Sequence, residues 1–197
     1  MTRIAFTSGR LGASGLYVRN ADASGKDELL LSSKAPKNIE DWSPDGRWIV
    51  FNENGSGIGA GLQVLSTETR KRQDSQAQPF GERQGRLSPD GKWMAYQSNE
   101  SGRFEVFIRP FPTVGGKWQI SNAGGGEPQW RGDGKELFYT TLQDPARMMA
   151  ADIADRNGAI HAGIPHPCIR CAAAWRKPAK PVRGDPRRQE VPGHRAA

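Results

Sequence analysis

Hydrophobic residues along this chain come in short runs of four to six, rich in aromatic and β-branched types and separated by Gly, Pro, Asn, Asp and Ser. No helical period is sustained anywhere in residues 1–165. That pattern predicts short strands joined by turns.

The runs recur. WSPDGRWIVF at residues 42–51 returns as LSPDGKWMAY at residues 87–96 and, in worn form, as RGDGKELFY at residues 131–139. The three phrases close on Gly46, Gly91 and Gly134, at intervals of 45 and 43 residues. Aligned on these glycines, Trp42, Leu87 and Trp130 share one column, Ile49, Met94 and Leu137 a second, and Phe51, Tyr96 and Tyr139 a third. Ile4, Ala5 and Phe6 stand 45 residues before Ile49, Val50 and Phe51, so the chain enters the grid partway through a repeat.

Within a copy, Ser43-Pro44-Asp45-Gly46 supplies a tight turn: proline fixes φ, aspartate bonds back to the local backbone and glycine accepts positive φ. The pattern predicts strands over Trp48 to Asn52, Leu62 to Ser66, Trp93 to Ser98, Phe104 to Arg109 and, outermost, Lys117 to Ser121. Four antiparallel strands per 43 to 45 residues is the unit of a propeller blade. The expected fold class is therefore all-β, a partial β-propeller of about four consecutive four-stranded blades with an irregular C-terminal tail. The expected divisions are a partial blade over 1–34 without its inner strand, blades over 35–81 and 82–122, a partial blade over 123–165 that fades after Ile153, and a tail over 166–197. The Trp, Phe, Tyr and Ile columns are read as packing between blades, not as a ligand cage.

EDWSPDGRWIVF and RLSPDGKWMAY resemble the WD40-like repeats of the TolB type, over residues 1 to about 165. Residues 96–139, from YQSNESGRFEVF to GKELFY, resemble the propeller that follows the kinase domain in many bacterial eukaryote-like serine/threonine kinases. The resemblance implies a sensor or interaction module, not a catalytic part. It also implies six or more blades in a whole ring, so the chain is expected to be a fragment with exposed blade edges, prone to self-association.

The formal net charge of +7 changes this picture little, because it is unevenly spread. Residues 1–169 hold 20 Lys plus Arg against 19 Asp plus Glu, whereas residues 170–197 hold 8 against 2. The basic tail, with Arg176, Lys177, Lys180, Arg183, Arg187 and Arg188 among prolines and only Trp175 for stacking, reads as a solvated end and not as a nucleic-acid site. The abrupt change of composition leads to the expectation that residues from about Cys168 come from a shifted or mis-assigned reading frame. No run of 18 apolar residues and no export signal occurs, so the chain as it stands is placed in the cytoplasm, although the resembled family is often periplasmic or membrane-attached.

Four stretches of the sequence carry residues with candidate chemistry. His161, His166, Cys168 and Cys171 spell H-x4-H-x-C-x2-C, a soft donor set suited to zinc, but alone at the tail junction they are read as incidental. Asp41, Asp45, Asn52 and Glu53 offer oxygens to calcium, yet Asp45 is explained by its turn. Gly55 to Gly61 matches no phosphate-binding motif and reads as a loop. The two Arg-Gly-Asp triplets, at 131–133 and 183–185, are read as coincidence. All three histidines lie outside the repeats, where none can activate a nucleophile within them, and no G-x-S-x-G elbow occurs. No catalytic, cofactor-binding or metal-ligating residue is assigned, and no cofactor. The expectation is a non-enzymatic module for a protein or peptide ligand, held by loops at the blade ends. The alternative is the regulatory propeller of a serine/threonine kinase or serine peptidase.

Overall fold

The computed structural model describes residues 3–10, 12–53, 61–73, 79–113 and 115–168. Strands β1 (Arg3–Ser8), β2 (Ser14–Asn20) and β3 (Glu28–Ser33) form a three-stranded sheet in that order. The next sheet runs β4 (Lys37–Trp42), β5 (Trp48–Glu53), β6 (Leu62–Ser66), β7 (Arg72–Gln73). A third repeats it as β8 (Glu82–Leu87), β9 (Trp93–Ser98), β10 (Glu105–Pro110), β11 (Trp118–Gln119). The fourth is β12 (Gly125–Trp130), β13 (Glu136–Thr141), β14 (Met148–Arg156) and β15 (Ala159–Ala162), with β16 (His166–Pro167) also on β14. Every pairing is antiparallel, and all but that of β16 with β14 join strands consecutive in sequence, which makes each sheet a propeller blade.

The predicted strands lie where the pattern put them, within a residue or so, except the outermost: β11 spans two residues, not the five expected over Lys117 to Ser121. The fourth blade also differs. It was expected to fade after Ile153, but β14 continues to Arg156, and His166 and Pro167, assigned by sequence to the tail, pair back onto Met149 and Ala150. The tail from residue 169 lies outside the described residues.

The repeated phrase builds the same turn each time. Gly46 N–H donates to the Ser43 carbonyl at 2.8 Å, and Gly46 takes a φ of 74° that few side chains tolerate. The Ser43 hydroxyl donates to Asp45 Oδ1 at 2.6 Å and accepts from Trp48 N–H at 2.9 Å. Ser88, Asp90 and Trp93 repeat both bonds at 2.6 and 3.0 Å. In the worn copy Arg131 replaces the serine, and its guanidinium Nε donates to Asp133 Oδ1 at 2.7 Å, so the aspartate keeps a donor.

The columns pack the blades by a simple alternation. In each second strand, two side chains point to the blade before and one to the blade after. Ile49 and Phe51 join Leu16, Val18 and Leu65 in the seam between the first and second blades, while Val50 turns to the next seam with Met94 and Tyr96. Ala95 points forward in turn, into the cluster that holds Leu137 and Tyr139. These residues are buried because two sheets share them, as the repeat pattern predicted. At one place the seam leaves no room for a side chain: a Cβ on Gly85 would lie 2.9 Å from Leu62 Cδ1 and 3.0 Å from Val50 Cγ1.

Each inner strand carries an irregularity, between Ile39 and Asp41, Arg83 and Arg86, and Gly126 and Gln129. Such bulges bend and re-aim a strand. Gln84 and Glu127 take positive φ there, 57° and 52°, and are held by neighbours. The Glu127 N–H donates to Gln84 Oε1 at 2.7 Å, and the Leu87 N–H donates to Asp41 Oδ2 at 2.7 Å.

Candidate functional site

The turns between first and second strands stand side by side at one end of the blades. A Cβ on Gly91 would meet Pro44 Cδ at 3.9 Å and one on Gly134 would meet Pro89 Cδ at 3.7 Å, so each turn leans on the proline of the one before. Between the turn at residues 88–91 and the turn at residues 131–134 opens a groove of about 600 Å³. A smaller cavity of about 240 Å³ repeats the arrangement one blade earlier, between Pro44 and Gly91.

Trp93, Trp130, Ile153 and Ile160 give the larger groove an apolar lining, and Asp90, Asp133 and Asp155 ring it. Trp93 stands edge-on to Trp118 with ring centroids 5.5 Å apart, and its indole N–H donates to Asp155 Oδ2 at 3.3 Å. The Trp130 indole donates to the Arg86 carbonyl at 3.1 Å, which ties it to the inner strand of the preceding blade. Both rings are therefore fixed before any ligand arrives. Asp133 is held at about 2, first by the Arg131 guanidinium and then by the Lys135 N–H, so it stays charged at every physiological pH. Lys135 also lines the groove.

The serine of the groove, Ser88, donates its hydroxyl to Asp90 and accepts from the Trp93 amide, and among the described residues no histidine lines the cavity.

The sequence-derived candidates disperse. Asp41 accepts from the Leu87 N–H, Asp45 belongs to its turn, Asn52 donates to the Glu82 carbonyl at 3.0 Å, and Glu53 pairs with Arg72 and Lys37. Asp45 precedes β5 while Asn52 and Glu53 end it, so the four do not converge on one ion. His161 and His166, expected outside the repeats, instead belong to the fourth blade, where they pair with Ala154 and Ala150, four positions apart along β14. Cys168 is disulfide-bonded, which withholds its thiolate, and Cys171 lies outside the described residues. Among the described residues no group of three or more His, Cys, Asp or Glu converges. In the first Arg-Gly-Asp triplet the arginine and aspartate pair with each other at 2.7 Å; the second triplet and residues 55–60 of the glycine-rich loop lie outside the described residues. Among the described residues no helix is long and apolar enough to cross a membrane.

At the opposite blade end lies a polar network that sequence reasoning missed. Lys37 is fully buried and donates to the Ser14 and Ala35 carbonyls at 3.0 and 2.9 Å, with Glu53 Oε1 at 3.1 Å. In the next blade Glu82 takes the column of Lys37 and is met by Arg109 at 3.2 Å. Burial pushes Glu82 up, and the charge of Glu100 adds to it against the pull of Arg109. These networks clip strands together and leave the groove as the candidate site.

No family profile and no curated protein sequence matches the chain. Solved structures do match in fold. TolB from Acinetobacter baumannii superposes with a TM-score of 0.62 at 19% identity, over 81% of this chain and 40% of that one. A putative TolB from Agrobacterium tumefaciens gives 0.65 at 15% identity, over 81% and 60%. A prolyl endopeptidase gives 0.56 at 16% identity, over 77% of this chain and 26% of its own. The chain thus spans about half the length of the TolB chains it matches. By architecture, blade repeat and these superpositions it is a TolB-like β-propeller.

Proposed function

We propose that the chain is a non-enzymatic recognition module that takes a protein or peptide segment into the groove between the turns at residues 88–91 and 131–134. The observation that carries this reading is the groove itself. Its volume of about 600 Å³ suits a few side chains, and its two indoles are immobilised by hydrogen bonds to Asp155 and the Arg86 carbonyl. Rigid aromatics beside a polar rim are the usual anchors of protein recognition. The turns present them on a scaffold that does not need to move.

Panning the full chain against a peptide library tests it. Enriched peptides should lose at least about tenfold in affinity to Ala154→Trp, which fills the groove, and should bind Ser101→Asp, in a loop at the other blade end, as they bind the parent. Absence of enrichment, or binding indifferent to Ala154→Trp, would refute the reading.

A second reading is favoured by the superposition on about a quarter of the prolyl endopeptidase chain. In it the propeller is the regulatory part of a larger peptidase or serine/threonine kinase. Sequencing the flanking DNA decides: a catalytic domain in a neighbouring frame supports it, and unrelated genes on both sides oppose it.

A further inference from the structure

The groove between the turns at residues 88–91 and 131–134 has three carboxylates, Asp90, Asp133 and Asp155, against a single lysine, Lys135. Two of the three are already engaged. Asp90 Oδ1 accepts from the Ser88 hydroxyl at 2.6 Å and the Lys92 N–H at 3.1 Å, as its turn requires. Asp133 is gripped by the Arg131 guanidinium at 2.7 Å on each oxygen. Asp155 meets only neutral donors, the Gly158 N–H at 2.9 Å on Oδ1 and the Trp93 indole N–H at 3.3 Å on Oδ2. Among the described residues no cation pairs with it. A carboxylate offers about four acceptor sites, so two donors leave about half of them unused.

The local sequence places that carboxylate. Asp155-Arg156-Asn157-Gly158 ends β14 in a two-residue hairpin, with Asn157 and Gly158 at φ of 56° and 78°, the backbone that Asn-Gly favours. The turn fixes the register and sets Asp155 directly opposite Ile160. Opposed residues share a face of the sheet, as do residues two apart along a strand. Asp155, Ile153 and Ile160 therefore stand on one side of the hairpin, and that side is a wall of the groove. Trp93, almost wholly buried, orients the carboxylate through its indole.

On the recognition reading of this groove, on which the assignment rests, we propose that the bound segment is anchored by a basic side chain, arginine or lysine. Its cation pairs with Asp155, and its methylene stem lies along Trp130, Ile153 and Ile160. Charge and shape agree on that occupant. Arginine and lysine combine a long apolar stem with a terminal cation. An acidic anchor would bring a further negative charge to three aspartates, and a wholly apolar one would strip water from Asp155 without replacing it.

The probes are the peptides that panning of a random library against the full chain enriches. Those bound in the groove shift the indole N–H resonances of Trp93 and Trp130. Such peptides should share an arginine or a lysine. Replacing it by citrulline or norleucine, which keep the stem and remove the charge, should weaken binding at least about fivefold. Asp155→Asn should weaken the basic peptide by a similar factor, and asparagine can still accept from Gly158 and keep the hairpin. The two changes together should cost little more than either alone. Fully additive losses, or groove binding indifferent to the peptide's charge or to Asp155→Asn, would overturn the basic anchor and leave the recognition reading standing. If no enriched peptide shifts the two indole resonances, the recognition reading falls and the anchor falls with it.

Discussion

Gly46, Gly91 and Gly134 hold φ values of 74°, 70° and 72°, and a Cβ on Gly46 would meet nothing within 4 Å. Backbone conformation alone therefore requires glycine there. Gly85 is required for the opposite reason, a seam too close for a side chain. The two causes separate by experiment. Gly46→Ala should cost about 1–2 kcal/mol in urea unfolding and Gly46→Asn less, since asparagine tolerates the left-handed region. Gly85→Ala should cost about 1–3 kcal/mol from overpacking, and Gly85→Asn more still. Equal responses of the two sites to asparagine would contradict these assignments.

Among elements, the inner strands and the outer ones were the hardest to read from sequence. ERQGRL of β8 carries little apolar signal, because it bulges and gives its contacts to charged and polar partners such as Asp41 and Gln97. The positive φ of Gln84 and Glu127 has no glycine to announce it. Strands β7 and β11 are two residues long and lie at the solvent edge, where nothing forces alternation. The second strands were legible because both of their faces are buried and their turns are spelled out. The groove was legible only as a set of aromatic columns. Packing did claim Trp130, as the pattern implied, and Trp93 with it, which no column had marked, but the stagger of successive turns, which opens the cavity beside them, leaves no mark in one repeat taken alone.

The polar network at the other blade end makes a prediction about pH. Burial pushes the Glu53 carboxyl up, but hydrogen bonds from Arg72, Ser33 and Lys37 outweigh it and hold the group at about 2, below its ordinary 4.5. A carboxylate lowered on folding contributes fully above its unfolded value and loses that contribution as pH falls toward the folded one. Between about pH 4.5 and 2 the parent should therefore lose stability relative to Glu53→Gln, and the difference in urea midpoint should shrink. Glu40 and Asp41, both pushed up by burial, act in the reverse direction in parent and variant alike, so the difference isolates Glu53. A midpoint difference independent of pH would mean that Glu53 acts only through packing.

For the whole molecule, the blades are joined by seams whose residues come from both sides, and among the described residues the outer face of the first blade is partly exposed. Phe6 stacks on Tyr17 with centroids 5.5 Å apart, and Arg10 lies 4.3 Å over the Tyr17 ring, which partly covers the face. Ile4 remains largely open. Concentration-dependent association is expected in sedimentation velocity, and Ile4→Lys should weaken it; association unaffected by that change would place the contact elsewhere. The alternation of the second strands decides what such assemblies look like. Because two side chains point back and one forward, the back of a blade fits the front of another and not another back. Copies that meet through these faces have no two-fold axis between them. They add head to tail, so their sizes should form a ladder with no preference for the pair.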